Sequence, residues 1–195
     1  MRNIQQKLAT ALAFLLLALP PLAAAEAALR VVATTTDLAS LPEEIGGERI
    51  AEVHSLSRPL EDPHYLNATP GMVVRTSRAD LFVMNGMDLE IGWIPAVLRQ
   101  TRNHAVRPGG SGFVDASSGV RAIQVPDVSP GDLRALGDVH PQGNPHFTLE
   151  PVQSITAARN IAEGFRRVDP EFDEVYQYNL KRYEERVRDV SIGGE

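Results

Sequence analysis

Two short segments place a histidine directly after a proline: Asp62-Pro63-His64-Tyr65 and Asn144-Pro145-His146-Phe147. Proline restricts the backbone beside the imidazole, so less conformational freedom is lost when the ring engages something. Neutral imidazole nitrogens suit transition metals, and zinc takes them at about 2.0 to 2.1 Å in a shell of about four ligands. Two histidines on separate loops could supply half of that shell. The alternative for each is a surface-loop histidine satisfied by one hydrogen bond. Asp62 or Glu61 could orient His64 by accepting a hydrogen bond from its second ring nitrogen, as is usual for ligating imidazoles; a solvated carboxylate is the other reading. His140, in Asp138-Val139-His140-Pro141, lies close enough along the chain to reach a shared site or its entrance. His54, inside a strand pattern, and His104, in a polar loop, read as structural or solvated. Asp88 and Glu90 read as turn and helix-cap residues.

The elements that must position these loops follow from the apolar pattern. Leu29 to Thr34 reads as a buried parallel strand, followed by a helix capped by Thr36 or Asp37, running through Ile45 and ended by Gly46-Gly47. Ile50 to Leu56 is a second strand. Thr69-Pro70 starts a helix with Met72, Val73, Thr76 and Ala79 on one face. Asp80 to Asn85 is the clearest strand, Trp93 to Arg99 a helix, and Gly112 to Ala116 a short fourth strand. This alternation predicts an α/β fold, a parallel sheet flanked by helices. Residues 117 to 145 hold four prolines and four glycines with no sustained period and read as a surface crossing. Helical periodicity returns after Pro151, through Val152, Ile155, Ala158, Ala162 and Phe165. A long helix starts near Asp169-Pro170, carrying Phe172, Tyr176, Leu180, Tyr183, Val187 and Val190 in one stripe. Trp93, Tyr176 and Tyr183 read as core.

Residues 1 to 25 combine Arg2 and Lys7, an apolar run from Ala9 to Leu19, and Ala23-Ala24-Ala25, the pattern of a signal peptide cleaved near Ala25. The run is well short of the about 20 residues that span a bilayer. Losing Arg2 and Lys7 takes the formal net charge from −6 to −8, which disfavours nucleic acid as a partner. The chain has no cysteine, which removes disulfides, thiolate metal sites, thiol nucleophiles and a lipid-bearing cysteine. A soluble periplasmic protein without a membrane anchor is expected.

From Leu29 onward the chain resembles the zinc- and manganese-binding solute-binding proteins of ABC transporters. The resemblance lies in VVATTTDLASLPEEIGGERI, EDPHYLNATPGMVVRTSRADLFVMNGMDLE, NPHFTLEP and DPEFDEVYQYNLKRYEERV, four features in one order. It implies that His64 and His146 are metal ligands and gives His140 no role. It implies one α/β lobe over 26–168, the start of a long interlobe helix over 169–195, and a second lobe, donating a histidine or glutamate and an aspartate, that this sequence does not contain. It also implies a monomer that captures a divalent metal ion and delivers it to an ABC permease without catalysis. Zinc is favoured over manganese because the visible ligands are imidazoles. Thr148 and Glu150 stand where an aromatic residue and an aspartate are common, and the histidine-rich loop of many zinc-uptake members is missing. An exported adhesion or interaction module is a second reading. A metal-dependent hydrolase is a third, with no HExxH, G-x-S-x-G or G-x-x-x-x-G-K-[ST] pattern to support it.

Overall fold

The computed structural model describes residues 28–127 and 140–192. The expected signal peptide, most of the segment before His140, and the last three residues lie outside the described residues. Four strands, β1 (Leu29–Ala33), β2 (Ile50–Ser55), β3 (Leu81–Met84) and β4 (Phe113–Asp115), form one sheet in the order β2-β1-β3-β4, and every pairing is parallel. The helices are α1 (Thr36–Gly46), α2 (Pro70–Arg78), α3 (Ile94–Gln100), α4 (Pro151–Val168) and α5 (Asp173–Ile192). This is the expected α/β architecture with a long final helix.

Strand side chains alternate between faces, and here both faces are covered. Val31, Ala33, Leu81, Val83 and Val114 pack with Leu38, Ile45, Ile161, Phe165 and Tyr176 from α1, α4 and α5. Val32 and Phe82 pack on the other side with Trp93, Ile94, Val97 and Leu98, where Met72 and Val73 of α2 also lie. The continuous apolar runs of β1 and β3 are therefore two faces read in alternation, as parallel sheets require. Because β1 neighbours both β2 and β3, the winding direction reverses between β1 and β3. Open α/β sheets bind ligands outside the carboxyl ends of their strands at such a reversal.

Boundaries depart from expectation where hydrogen bonding decides them. α1 is capped by Thr35, whose extended backbone precedes the first turn without a side-chain capping bond. Neither Thr36 nor Asp37 caps it; the Asp37 carboxylate accepts a hydrogen bond from Thr148 Oγ1 at 2.6 Å instead. Thr69 does cap α2, its hydroxyl accepting from Met72 N at 3.3 Å with Pro70 in the first position. The last helix is entered through a 3-10 turn over Pro170–Phe172. There Asp169 accepts from the Arg49 guanidinium at 3.0 Å and from the Tyr176 hydroxyl, while Arg49 lies over the Phe172 ring at 3.8 Å. Burial, with Asp169 beside it, pushes the Tyr176 phenol well above its ordinary pKa.

The stripe of α5 is buried along its first half only. Tyr176 and Leu180 are buried, Tyr183 is half-buried, and Val190 is 80 % exposed. Phe165 is fully buried and stacks on Tyr176 with ring centroids 4.8 Å apart. Phe165→Ala is expected to cost about 3–5 kcal/mol, and Val190→Ala to stay within about 0.5 kcal/mol of the parent. Urea unfolding followed by circular dichroism measures both.

Candidate metal site

A buried carboxylate organises the carboxyl edge of the sheet. Glu90 is 2 % exposed. Its Oε1 accepts from the Thr34 hydroxyl, just past β1, and from Asn85 N, just past β3, at 2.8 Å; its Oε2 accepts from Gly86 N at 3.2 Å. The turn it holds is unusual: Gly86, Met87 and Asp88 have φ of 89°, 51° and 63°. Successive left-handed residues store strain, and the surrounding contacts must hold them. The sequence reading of Glu90 as a turn or cap residue missed its burial. Its only signal there was its place five residues after a strand end.

From this segment two buried donors reach outward. Asn85 Nδ2 donates to the carbonyl oxygen of Pro145 at 2.9 Å, and Trp93 Nε1 donates to that of Pro63 at 2.8 Å. Each proline immediately precedes one of the candidate histidines. Trp93 is core, as expected, and its indole N–H has this second task, which sequence periodicity does not reveal.

The two loops use one local device. The Asp62 carboxylate accepts from the backbone N–H of His64 at 3.0 Å, and the Asn144 side-chain oxygen accepts from that of His146 at 2.9 Å. They differ at the ring. Asp62 also lies 2.6 Å from His64 Nδ1. Hydrogen bonds from the backbone and ring of His64 hold the Asp62 carboxyl below its ordinary pKa, so it is ionised at neutral pH and accepts only. That makes Nδ1 of His64 the donor, and in the neutral ring Nε2 keeps its lone pair. Glu61 plays no part in this, since its carboxylate accepts from Arg58 N.

His64, on the loop after β2, and His140 and His146, on the segment after β4, come together. The His64 and His146 ring centroids are 5.3 Å apart, those of His64 and His140 5.0 Å, and the Nε2 atoms of the latter pair 3.0 Å. They line an open cavity of about 360 Å³ with Gln124, Gly143, Asn144 and Pro145. The His64 side chain is 10 % exposed, whereas His146 is exposed. Among the described residues, no three His, Asp or Glu side chains are already closed around a point that could hold a metal ion. The other histidines lie elsewhere. His54 faces a separate hollow with Arg30, Arg75 and Arg78, and burial together with Arg75 lowers its pKa. His104 sits in a 3-10 turn beside Arg107.

Thr148 and Glu150 have structural roles here. Thr148 reaches Asp37, and the Glu150 carboxylate caps α4 by accepting from Val152 N and Gln153 N at 3.2 and 2.8 Å. A carboxylate at a helix start is favourable for the orphan amides and the helix dipole.

The fold is a parallel α/β sheet covered on both faces, with a histidine-lined cavity beside it. Residues 31–191 match the family described as zinc-uptake complex component A, periplasmic, and the chain belongs to that family. It is 32 % identical over 159 residues to a manganese ABC transporter substrate-binding lipoprotein, PsaA of Streptococcus pneumoniae, covering 82 % of this chain and 48 % of the relative. Identity to the metal ABC transporter substrate-binding lipoprotein FimA of Streptococcus parasanguinis is 31 %, over the same shares. The chain thus spans about half the length of these relatives. Among solved structures, that of ZnuA superposes with a TM-score of 0.66 at 20 % identity, covering 83 % of this chain and 55 % of the other. The metal-dependent lipoprotein YcdH of Bacillus subtilis superposes with a TM-score of 0.63 at 26 % identity, covering 83 % and 52 %.

Burial raises the Glu90 pKa above its ordinary value of 4.5. A raised folded-state pKa means the folded protein holds that proton more tightly than the unfolded chain. The stabilisation is then fully present below the unfolded value and lost as pH rises through the folded one. Glu90→Gln removes this titration. The stability of the parent relative to Glu90→Gln is expected to fall from pH 4 to pH 8, as read by urea unfolding at a series of pH values. A flat difference would show that Glu90 does not titrate in this range.

Proposed function

We propose that this protein is an exported binding protein that captures a divalent transition-metal ion as cargo, through His64 and His146, for delivery to an ABC permease. The observation that supports it most is the pairing of these imidazoles on adjoining loops, 5.3 Å apart by ring centroid, with His64 Nδ1 already engaged by Asp62. An ion arriving at the His64 Nε2 lone pair meets a ring of fixed tautomer and orientation, the arrangement that raises ligand basicity. Family membership and the relatives' printed roles in metal ABC transport agree with this reading.

Two imidazoles fill half of a four-coordinate shell. On this reading residues 26–168 are one lobe and α5 begins a link to a second. At least one further ligand belongs to the half of the relatives' length that this chain does not span. Zinc is the preferred cargo over manganese, because imidazole nitrogen suits zinc while manganese favours oxygen-rich sites. The protein works in the periplasm as a monomer and performs no catalysis. Among the described residues no helix is long and apolar enough to cross a membrane.

Zinc titration in competition with a chromophoric chelator tests the ligands. His64→Ala and His146→Ala are each expected to weaken binding, and unchanged affinity in both would overturn the assignment. Asp62→Asn keeps the loop's backbone acceptor but removes the charge behind the ring. It is expected to weaken zinc binding by about 10- to 100-fold, the usual effect of losing such a partner.

A further inference from the structure

His140 stands outside the pair just assigned, yet its placement is not that of a loose loop residue. Its carbonyl oxygen accepts from Gly143 N at 3.0 Å, closing a four-residue turn. Gly143 has φ of 102°, and a Cβ there would lie 2.7 Å from the Ile123 carbonyl oxygen, so the turn both requires glycine and packs against the neighbouring segment. Gln142 Nε2 donates to Asp88 at 3.0 Å, and Asn144 N to the Ile123 carbonyl at 2.9 Å. The turn is therefore tied both to the strained segment after β3 and to the segment after β4. Its effect is to aim the His140 ring at His64.

The two Nε2 atoms lie 3.0 Å apart. Two nitrogens bound at about 2.0 to 2.1 Å to one tetrahedral ion are separated by roughly 3.3 to 3.4 Å. A shift of a few tenths of an ångström thus converts the present contact into a shared coordination edge. The contact sets the two Nε2 atoms side by side, and a neutral imidazole nitrogen is the group a transition metal takes. An ion that takes both Nε2 atoms displaces the proton shared between them. His146 is exposed, and rotation of its ring about its own side-chain bonds is the movement that brings in a third nitrogen.

We propose that His140 is a third metal-binding residue of this lobe, coordinating the same ion as His64 and His146 and biasing the site toward zinc against manganese. This rests on the reading of His64 and His146 as ligands. A third imidazole raises the nitrogen content of the shell, the property that separates zinc-type from manganese-type sites. It also lets one lobe hold the ion through three contacts before any further ligand closes on it.

The full chain is titrated with Zn²⁺ against a chromophoric chelator and with Mn²⁺ by the loss of its free-ion EPR signal, in the parent and in His140→Ala. The variant is expected to bind zinc at least about tenfold more weakly, with manganese affinity changed by less, so that the preference narrows. X-ray absorption of the zinc-loaded parent supplies a readout independent of any variant's folding, and three coordinated imidazoles are expected. Two imidazoles, or unchanged zinc affinity in His140→Ala, overturns the inference. If His64→Ala and His146→Ala also leave zinc binding unchanged, the proposed function falls as well. If those two lose binding and His140→Ala does not, only the role of His140 is refuted.

Discussion

The site depends on one buried carboxylate. A side chain with two oxygens can serve several donors at once, and Glu90 takes the Thr34 hydroxyl and the N–H groups of Asn85 and Gly86. These donors come from the ends of β1 and β3, where the winding of the sheet reverses and no neighbouring strand continues to pair them. Burying a carboxyl group is costly, as the raised pKa records. Leaving the Thr34 hydroxyl and Gly86 N–H unpaired would cost about 1–3 kcal/mol for each, whereas Asn85 N also has the Thr34 hydroxyl oxygen at 3.1 Å. The carboxylate holds a turn of left-handed residues, and that turn sets Asn85 and Trp93 in place to grip the carbonyl groups before His64 and His146.

The two loops share a backbone device and differ in the ring. At both, an Asx side chain accepts from the histidine N–H two residues on, and a proline between them restricts the backbone. Aspartate at position 62 has a charge to offer the ring as well, and His64 is consequently fixed and mostly covered. Asparagine at 144 turns its amide to Gln124 at 2.6 Å, so the exposed His146 ring is free of that constraint. On the proposed reading, the pre-set orientation of the His64 ring lowers the ordering cost of binding an ion.

Much of this was legible in the residues. The alternation of strand and helix, the Thr69-Pro70 start, the Asp80 to Asn85 strand and the long stripe after Pro170 all rest on local patterns, and local patterns survive folding. The Asp-Pro-His and Asn-Pro-His segments could be seen as a pair, yet spacing alone left them open to a simple loop reading; the family resemblance supplied the rest. Long-range side-chain partners were not legible. Nothing near Glu90 in sequence marks it as buried against Thr34, 56 residues away. Trp93 was legible as core but not as the donor to Pro63, and His140 had neither motif nor period. In each case the information lies in the topology that brings strand ends together.

The same topology joins the second loop to the final helix through α1. At its first turn Asp37 holds Thr148, two residues after His146. At its far end the Ile45 carbonyl accepts from Asn179 Nδ2 at 3.0 Å, and Glu44 pairs with Arg186. A helix is stiff over three turns, so α1 fixes the distance between the loop carrying His146 and the middle of α5. The Arg49–Asp169–Tyr176 cluster fixes the start of α5 independently. With two attachments along its length, the first half of α5 cannot swing relative to the sheet without breaking buried polar contacts. Beyond Tyr183 the helix is held by ion pairs open to solvent on at least one side, Glu184 with Arg159 of α4 and Arg186 with Glu44 of α1, each worth little in water. The attachments of α5 to the rest of the fold therefore weaken along its length, away from the histidine cluster.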